Sequence, residues 1–208
     1  MSRGPLTFLT YNIEGLSTIY QPCVRSYISG FDFILLTETF STSFPVHLFP
    51  LHDVFVSPGV RLTDSKTVRL SRGVTLLVRK KLNSFVKHVR VEFDNCVTLK
   101  LLKELTGMTV DCVLIGMYLP PSQSLYYADT EIDNGVSLLE HCIIEILEET
   151  GEVPIIIFGD LNARTGNTNA REAALPAGGL IDESVDSDSE DTRFRRTSKD
   201  ITVCPLCM

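Results

Sequence analysis

No apolar run in this 208-residue chain is longer than a β-strand, so no segment of it is long enough to cross a membrane as a helix. The first residues, MSRGPLTFLTYNIEGL, hold a short apolar piece broken by Thr10 and Asn12. They lack the length and cleavage pattern of a secretory leader, and an intracellular location, nucleus or cytoplasm, is the expectation. Cysteine is sparse: six residues in this context suggest no disulfide framework. Cys112 and Cys142 sit inside apolar patterns and read as core, while Cys204-Pro-Leu-Cys207 is a lone CxxC without the second ligand pair that zinc requires. Histidine is scarce too, with His47 and His52 in an apparent loop, His88 in a basic strand and His141 in an apparent helix. What the chain does have is apolar content, 44 % of residues, with a slightly positive mean hydropathy of +0.14. That is the composition of one folded domain large enough to bury a core.

The formal net charge of −7 argues at first against a nucleic-acid partner. Its distribution argues otherwise. Asp182–Asp191 (DESVDSDSED) holds six acids and no base, and accounts for most of the excess. Arg61–Arg90 carries nine Lys or Arg against the single acid Asp64. Such a stretch can meet phosphates even in an acidic chain, or it can be the solvated outer face of a hairpin. Arg69, Arg72, Arg79, Lys80 and Lys81 are its candidate nucleic-acid contacts.

Strand-like and helix-like segments alternate along the first part of the chain. Leu6–Tyr11 and Phe31–Thr37 read as strands, with a short helix over Tyr20–Ser29 between them that Pro22 limits at its start. Ser41–Thr63, with three prolines, reads as loop. Gly73–Arg79 and Phe85–Val91 read as two strands of a hairpin, and Val97–Leu102 and Val110–Tyr118 follow around a Thr106-Gly107 turn. Gly135–Thr150 is the clearest helix, with Leu138, Leu139, Cys142, Ile143, Ile146 and Leu147 at helical spacing and Gly151 as its stop. Val153–Phe158 is a central strand. The pattern predicts an α/β fold with mixed sheets. Residues 167–208, rich in Ala, Asn and Gly, then acidic, then basic at Arg193–Arg196, read as a mostly irregular tail.

Four of these strands end in polar residues of related chemistry: Asn12 after LTFLTY, Glu38 after FDFILLT, Tyr118 after VLIGM, and Asp160 with Asn162 after IIIFG. Side chains two apart on a strand share a face, which would put Asp160 and Asn162 side by side. Ligands of α/β sheets gather outside the carboxyl ends of strands. Each residue alone has an ordinary explanation, since Asn and Asp make turns and a single Glu is usually solvated. Four such ends in order are harder to assign to chance. If they converge, the pocket is acidic and oxygen-rich, a donor set that suits Mg²⁺ better than zinc.

The motifs TYNIEG, LLTETF, GMYLPP and FGDLNARTG resemble, in order, the early and middle motifs of the endonuclease/exonuclease/phosphatase superfamily. GVTLLVRK, YLPPS and GDLNARTG are most similar to the endonuclease domain of non-LTR (LINE-type) retrotransposons, itself related to the apurinic/apyrimidinic endonucleases. The resemblance covers Leu6 to about Gly166, and it implies a DNase I-like sandwich of two mixed sheets flanked by helices. It further implies that Asn12 and Glu38 form the metal site, with Glu38 the direct ligand of Mg²⁺ (or Mn²⁺). Tyr118 would contact the scissile phosphate, Asp160 would orient or activate the attacking water, and Asn162 would hold the phosphate. DNA is the implied substrate, nicked for target-primed reverse transcription, and no reverse transcriptase segment accompanies these motifs.

One family element is missing from the sequence. The family closes its site with a Ser-Asp-His motif whose histidine meets the scissile phosphate, and no Ser-Asp-His occurs here. The resemblance thus describes residues 1–166 as a partial domain lacking its C-terminal strands, followed by the tail 167–208. Three functions fit such a chain. It is an Mg²⁺-dependent endonuclease impaired by that loss, or a remnant without catalysis that binds nucleic acid or protein, or a phosphatase of the same superfamily.

Overall fold

The computed structural model describes residues 4–60, 70, 72–89, 94–121, 124–127 and 134–162. Arg69, the acidic run, the tail 167–208 and the Cys204/Cys207 pair lie outside those residues. Two four-stranded mixed sheets form the body. In the first, β1 (Phe8–Asn12) lies parallel to β2 (Phe33–Thr37), which pairs antiparallel with β4 (Val74–Arg79), and β4 pairs antiparallel with β3 (His52–Ser57). In the second, β5 (Val86–Val89), β6 (Cys96–Leu101) and β7 (Cys112–Tyr118) are antiparallel in turn, and β8 (Ile155–Asp160) runs parallel to β7. Helices α1 (Pro22–Ile28), α2 (Lys103–Thr106) and α3 (Gly135–Thr150), with four short 3₁₀ segments, complete the described elements.

Strand alternation sorts the apolar side chains into three buried layers. Phe33, Leu35, Val74, Leu76 and Val78 meet Val97, Leu99, Leu101 and Leu114 between the sheets. The opposite face of the first sheet packs Ile34, Leu36 and Leu77 with Ile13, Ile19, Ile28 and Phe49. The opposite face of the second packs Val113, Ile115 and Met117 under Leu138, Cys142 and Ile146 of α3. Strands buried on both faces explain why FILLT and CVLIGMY read as continuous apolar runs. Each fully buried Leu, Ile or Phe contributes roughly 1.5–3 kcal/mol.

Helix α3 matches its sequence expectation at both ends. Asn134 caps it, its Oδ1 accepting the Val136 and Ser137 N–H groups at 2.9 and 3.1 Å. Gly151, at φ 74°, ends it. Helix α1 is shorter than Tyr20–Ser29: Pro22 takes its first position, and a 3₁₀ turn over Leu16–Tyr20 precedes it.

Three expectations change. Within the passage read as loop, His52–Ser57 forms β3; Val54 packs outward and Phe55 inward, an alternation hidden by its polar start and flanking prolines. His52 is accordingly a buried strand residue, and His47 lies in a 3₁₀ turn. Finally, β4 and β5 are not a hairpin but belong to different sheets. KKLNSF carries neither Gly nor Pro; it winds into a 3₁₀ helix over Lys80–Phe85, and Leu82 and Phe85 anchor in the inter-sheet core as the chain crosses.

Candidate active site

The parallel pair of each sheet ends at the same end of the sandwich. Asn12 closes β1, Glu38 follows β2, Tyr118 closes β7 and Asp160 closes β8. Backbone bonds fix the chain there: Ile13 N–H donates to Thr37 O at 3.1 Å, Gly15 N–H to Glu38 O at 2.8 Å, and Leu119 N–H to Asp160 O at 2.9 Å. Two side-chain hydrogen bonds then cross between the sheets. Tyr118 Oη donates to Glu38 Oε1 at 2.9 Å. Asn12 Nδ2 donates to Asp160 Oδ2 at 3.3 Å, and Asn12 Oδ1 accepts the Glu14 N–H at 3.2 Å.

Asp160 and Asn162 do meet, though not by strand alternation. The strand stops at Asp160, and Asn162 turns back at φ 45°, a left-handed conformation that asparagine tolerates. Its backbone N–H then donates to Asp160 Oδ1 at 3.1 Å, and its Nδ2 to Leu119 O at 2.7 Å. Glycine is required just before: Gly159 has φ 156°, and a Cβ there would overlap the Met117 carbonyl of β7. Glu38 also sits at positive φ, 53°, which costs a residue with a Cβ about 1–3 kcal/mol.

Tyr118 is the electrostatic centre of this cluster. Burial raises the pKa of its phenol; the charges of Glu38 and Asp160 and the bond to Glu38 push it further up, against a smaller opposing bond to Asn162. The phenol therefore stays protonated and a donor through neutral pH. The two carboxylates and the Asn12 carboxamide offer hard oxygen donors, a set that fits Mg²⁺, which commonly takes one or two carboxylates and keeps several waters. Among the described residues no three His, Cys, Asp or Glu gather as a metal cluster, so Glu38 and Asp160 are the charged part of that set.

The basic candidates divide. Arg72 is at this end, on the turn into β4, buried, with its guanidinium carbon 4.2 Å from the centroid of the Tyr126 ring. Arg79, Lys80 and Lys81 are at the other end of the first sheet, separated from Glu38 by the five residues of β2, roughly 16 Å. There Lys81 Nζ lies 3.0 Å and Arg79 Nε 3.5 Å from Asp32 Oδ1. The structure thus does not bring these three to the site. The histidines lie elsewhere also: His52 Nε2 is 3.1 Å from Phe31 O, His88 stacks on Phe55, and His141 is on α3. Two supporting residues escaped the sequence reading. Asn95 (φ 65°) accepts the Tyr118 N–H at 2.9 Å and donates its own N–H to Ser57 Oγ at 2.9 Å, and its signal was the Asp94-Asn95 turn pair. Tyr126 had no signal beyond an aromatic in a loop.

No protein-family model matches the chain, and no curated protein does. Solved structures do. The AP endonuclease LMAP from Leishmania major is similar over 74 % of this chain and 54 % of its own, at 15 % identity and a TM-score of 0.52. An AP endonuclease from Archaeoglobus fulgidus is similar over 78 % and 59 %, at 16 % identity and 0.49. The human Nocturnin catalytic domain is similar over 82 % and 69 %, at 15 % identity and 0.47. The chain thus spans little more than half the length of the two AP endonucleases. The fold, two mixed sheets flanked by helices, is the DNase I-like α/β fold. Among the described residues no helix is long and apolar enough to cross a membrane.

Proposed function

We propose that this chain is a divalent-metal-dependent phosphodiesterase that nicks DNA, of the kind found in non-LTR retrotransposons. The observation that carries the proposal is the pair of bonds Tyr118–Glu38 and Asn12–Asp160. They gather residues up to 148 positions apart at the carboxyl ends of four strands, with the chemistry that phosphoryl transfer requires. The order TYNIEG, LLTETF, GMYLPP, FGDLNARTG supports the retrotransposon reading, and the structural likeness to AP endonucleases supports the fold on which it rests.

Glu38 and Asn12 hold the metal in this proposal, with Mg²⁺ or Mn²⁺ as the ion. When bound, the ion withdraws charge from the phosphoryl oxygens and steadies the leaving alkoxide. Asp160, whose carboxylate is oriented by Asn12 and Asn162, receives the proton of the attacking water. The Asn162 carboxamide, through the Nδ2 hydrogen not given to Leu119 O, and the Tyr118 phenol, once its single proton turns from Glu38, donate to the phosphate as its charge develops.

The test is supercoiled plasmid incubated with the purified protein and Mg²⁺, beside Glu38→Ala and Asp160→Ala. Nicking by the parent that both variants lose is the expected result. Equal background in all three sinks the proposal, and hydrolysis confined to a small phosphate monoester reassigns the site to a phosphatase.

A further inference from the structure

Arg72 stands out among the basic residues because its side chain points into the protein. It is 8 % exposed, at φ 66°, and is separated from β4 by Gly73 alone. Its carbonyl accepts the Phe40 N–H at 2.8 Å, and the carbonyl of its neighbour Gly73 accepts the Thr39 N–H at 3.1 Å. These two bonds extend the β2–β4 pairing past Thr37 and hold the backbone on the C-terminal side of Glu38. The Arg72 side chain reaches the other way. Its guanidinium carbon lies 4.2 Å from the centroid of the Tyr126 ring, and Tyr126 is itself 7 % exposed.

Tyr126 belongs to the single turn Leu125–Tyr127 downstream of Tyr118-Leu119-Pro120-Pro121. That turn is tied back to the end of β7, since Tyr127 Oη donates to Pro120 O at 2.8 Å. One residue of the first sheet therefore grips, by backbone, the segment that carries Glu38 and, by side chain, the segment that follows Tyr118. Glu38 and Tyr118 are the two ends of a cross-sheet hydrogen bond of the site. A desolvated cation over an aromatic face is among the stronger cation–π arrangements, and a planar guanidinium stacks there as a lysine ammonium does not.

We propose that Arg72 is a positioning residue, which through its stack on Tyr126 sets the spacing of Glu38 and Tyr118. The inference rests on the phosphodiesterase reading only for its effect on turnover; the mechanical link stands apart from it. It also separates Arg72 from the surface cations: a phosphate contact lowers affinity when removed and reduces the salt dependence of binding, whereas a misplaced constellation lowers turnover.

The experiment uses Arg72→Met, Tyr126→Leu and Tyr126→Phe in the full chain, and the Arg72→Met/Tyr126→Leu double variant. Amide hydrogen exchange is the first readout, at Thr39 and Phe40. Tyr126→Leu is expected to speed exchange there about tenfold, although position 126 lies in the other sheet's loop, and Tyr126→Phe, which keeps the ring face, is expected to restore parental protection. Plasmid nicking is the second. Arg72→Met and Tyr126→Leu should each lower kcat at least ~10-fold with KM nearly unchanged, and the double variant should be no slower than either single one. Unchanged protection of Thr39 and Phe40 in Tyr126→Leu overturns the proposal. So does an Arg72→Met effect confined to KM. Should the parent chain not nick DNA at all, the functional reading fails while the exchange comparison still decides the link. If Arg72→Met does not fold, the Tyr126 pair decides it.

Discussion

Strand β2 is bracketed by two carboxylates, Asp32 before it and Glu38 after it, and the protein treats them in opposite ways. Asp32 is met by cations. Lys81 Nζ and Arg79 Nε lie 3.0 and 3.5 Å from its Oδ1, the latter an ion pair without hydrogen-bond geometry. Its Oδ2 accepts the Thr7 N–H and hydroxyl at 3.2 and 3.1 Å. Glu38 is met by a neutral phenol, and its companion Asp160 by two amide donors. Cations cancel a carboxylate's charge; neutral dipoles orient it and leave the charge in place. One end of β2 is thus closed electrostatically and serves the fold. The other keeps negative charge facing a cluster of fixed donors, the condition a cationic ligand and a phosphate need together.

That contrast is broken most directly by neutralising each carboxylate in turn. Glu38→Gln or Asp160→Asn should lower plasmid nicking by ~10³-fold, while the midpoint of thermal unfolding stays level or rises. Asp32→Asn should do the reverse, lowering unfolding free energy by about 2–3 kcal/mol because Lys81 and Arg79 lose their counter-charge and an amide NH2 replaces one carboxylate oxygen, with the nicking rate per folded molecule kept. A loss of activity in Asp32→Asn at unchanged stability would erase the distinction between the two ends.

Acid sharpens the comparison next. Burial lowers the pKa of His52, with the Phe31 carbonyl opposing and the nearby Arg79 charge adding to the fall. The unfolded chain therefore takes up this proton first as pH drops below the usual imidazole value of about 6.5. The stability from His52 is present above that value and lost as pH falls toward its folded pKa. For Asp32, burial works to raise the carboxyl, but Lys81 and Thr7 outweigh it and hold it below the ordinary carboxylate range. Its contribution persists above about pH 3.9 and is lost at more acid pH, as it falls through the folded value. Urea unfolding across this range should show two successive losses, the first absent in His52→Gln and the second in Asp32→Asn. The smallest effect belongs to Lys81→Ala. Its side chain is 62 % exposed, so circular dichroism melts should register a loss under ~0.5 kcal/mol.

The sequence carried much of this because the relevant signals are local. FILLT and CVLIGMY are apolar on both faces, and that is legible as a central strand. Gly135–Thr150 announces itself by spacing and by its terminal glycine. Asn12, Glu38, Tyr118 and Asp160 were legible as residues at the ends of strands. What stayed hidden depends on partners far along the chain. KKLNSF looks the same whether the next strand turns back or crosses to another sheet, and only the burial of Leu82 decides. Arg79 and Lys81 read as free cations until Asp32, some fifty residues earlier, is seen beside them. Arg72 could not be told from them at all, since a guanidinium over a loop tyrosine leaves no periodic trace. Asn162 was placed correctly for an incorrect reason: alternation ends with the strand, and a left-handed turn does the work instead.

The 3₁₀ crossing at Lys80–Phe85 has one more consequence. Every described strand before it belongs to the first sheet, and every described strand from Val86 to Asp160 belongs to the second. Asn12 and Glu38 are thus contributed by one half of the chain, and Tyr118, Asp160 and Asn162 by the other. Neither half can possess the constellation alone, however well it folds. The site behaves as a coincidence detector for the chain's own assembly, coming into being only when two separately encoded sheets have docked face to face.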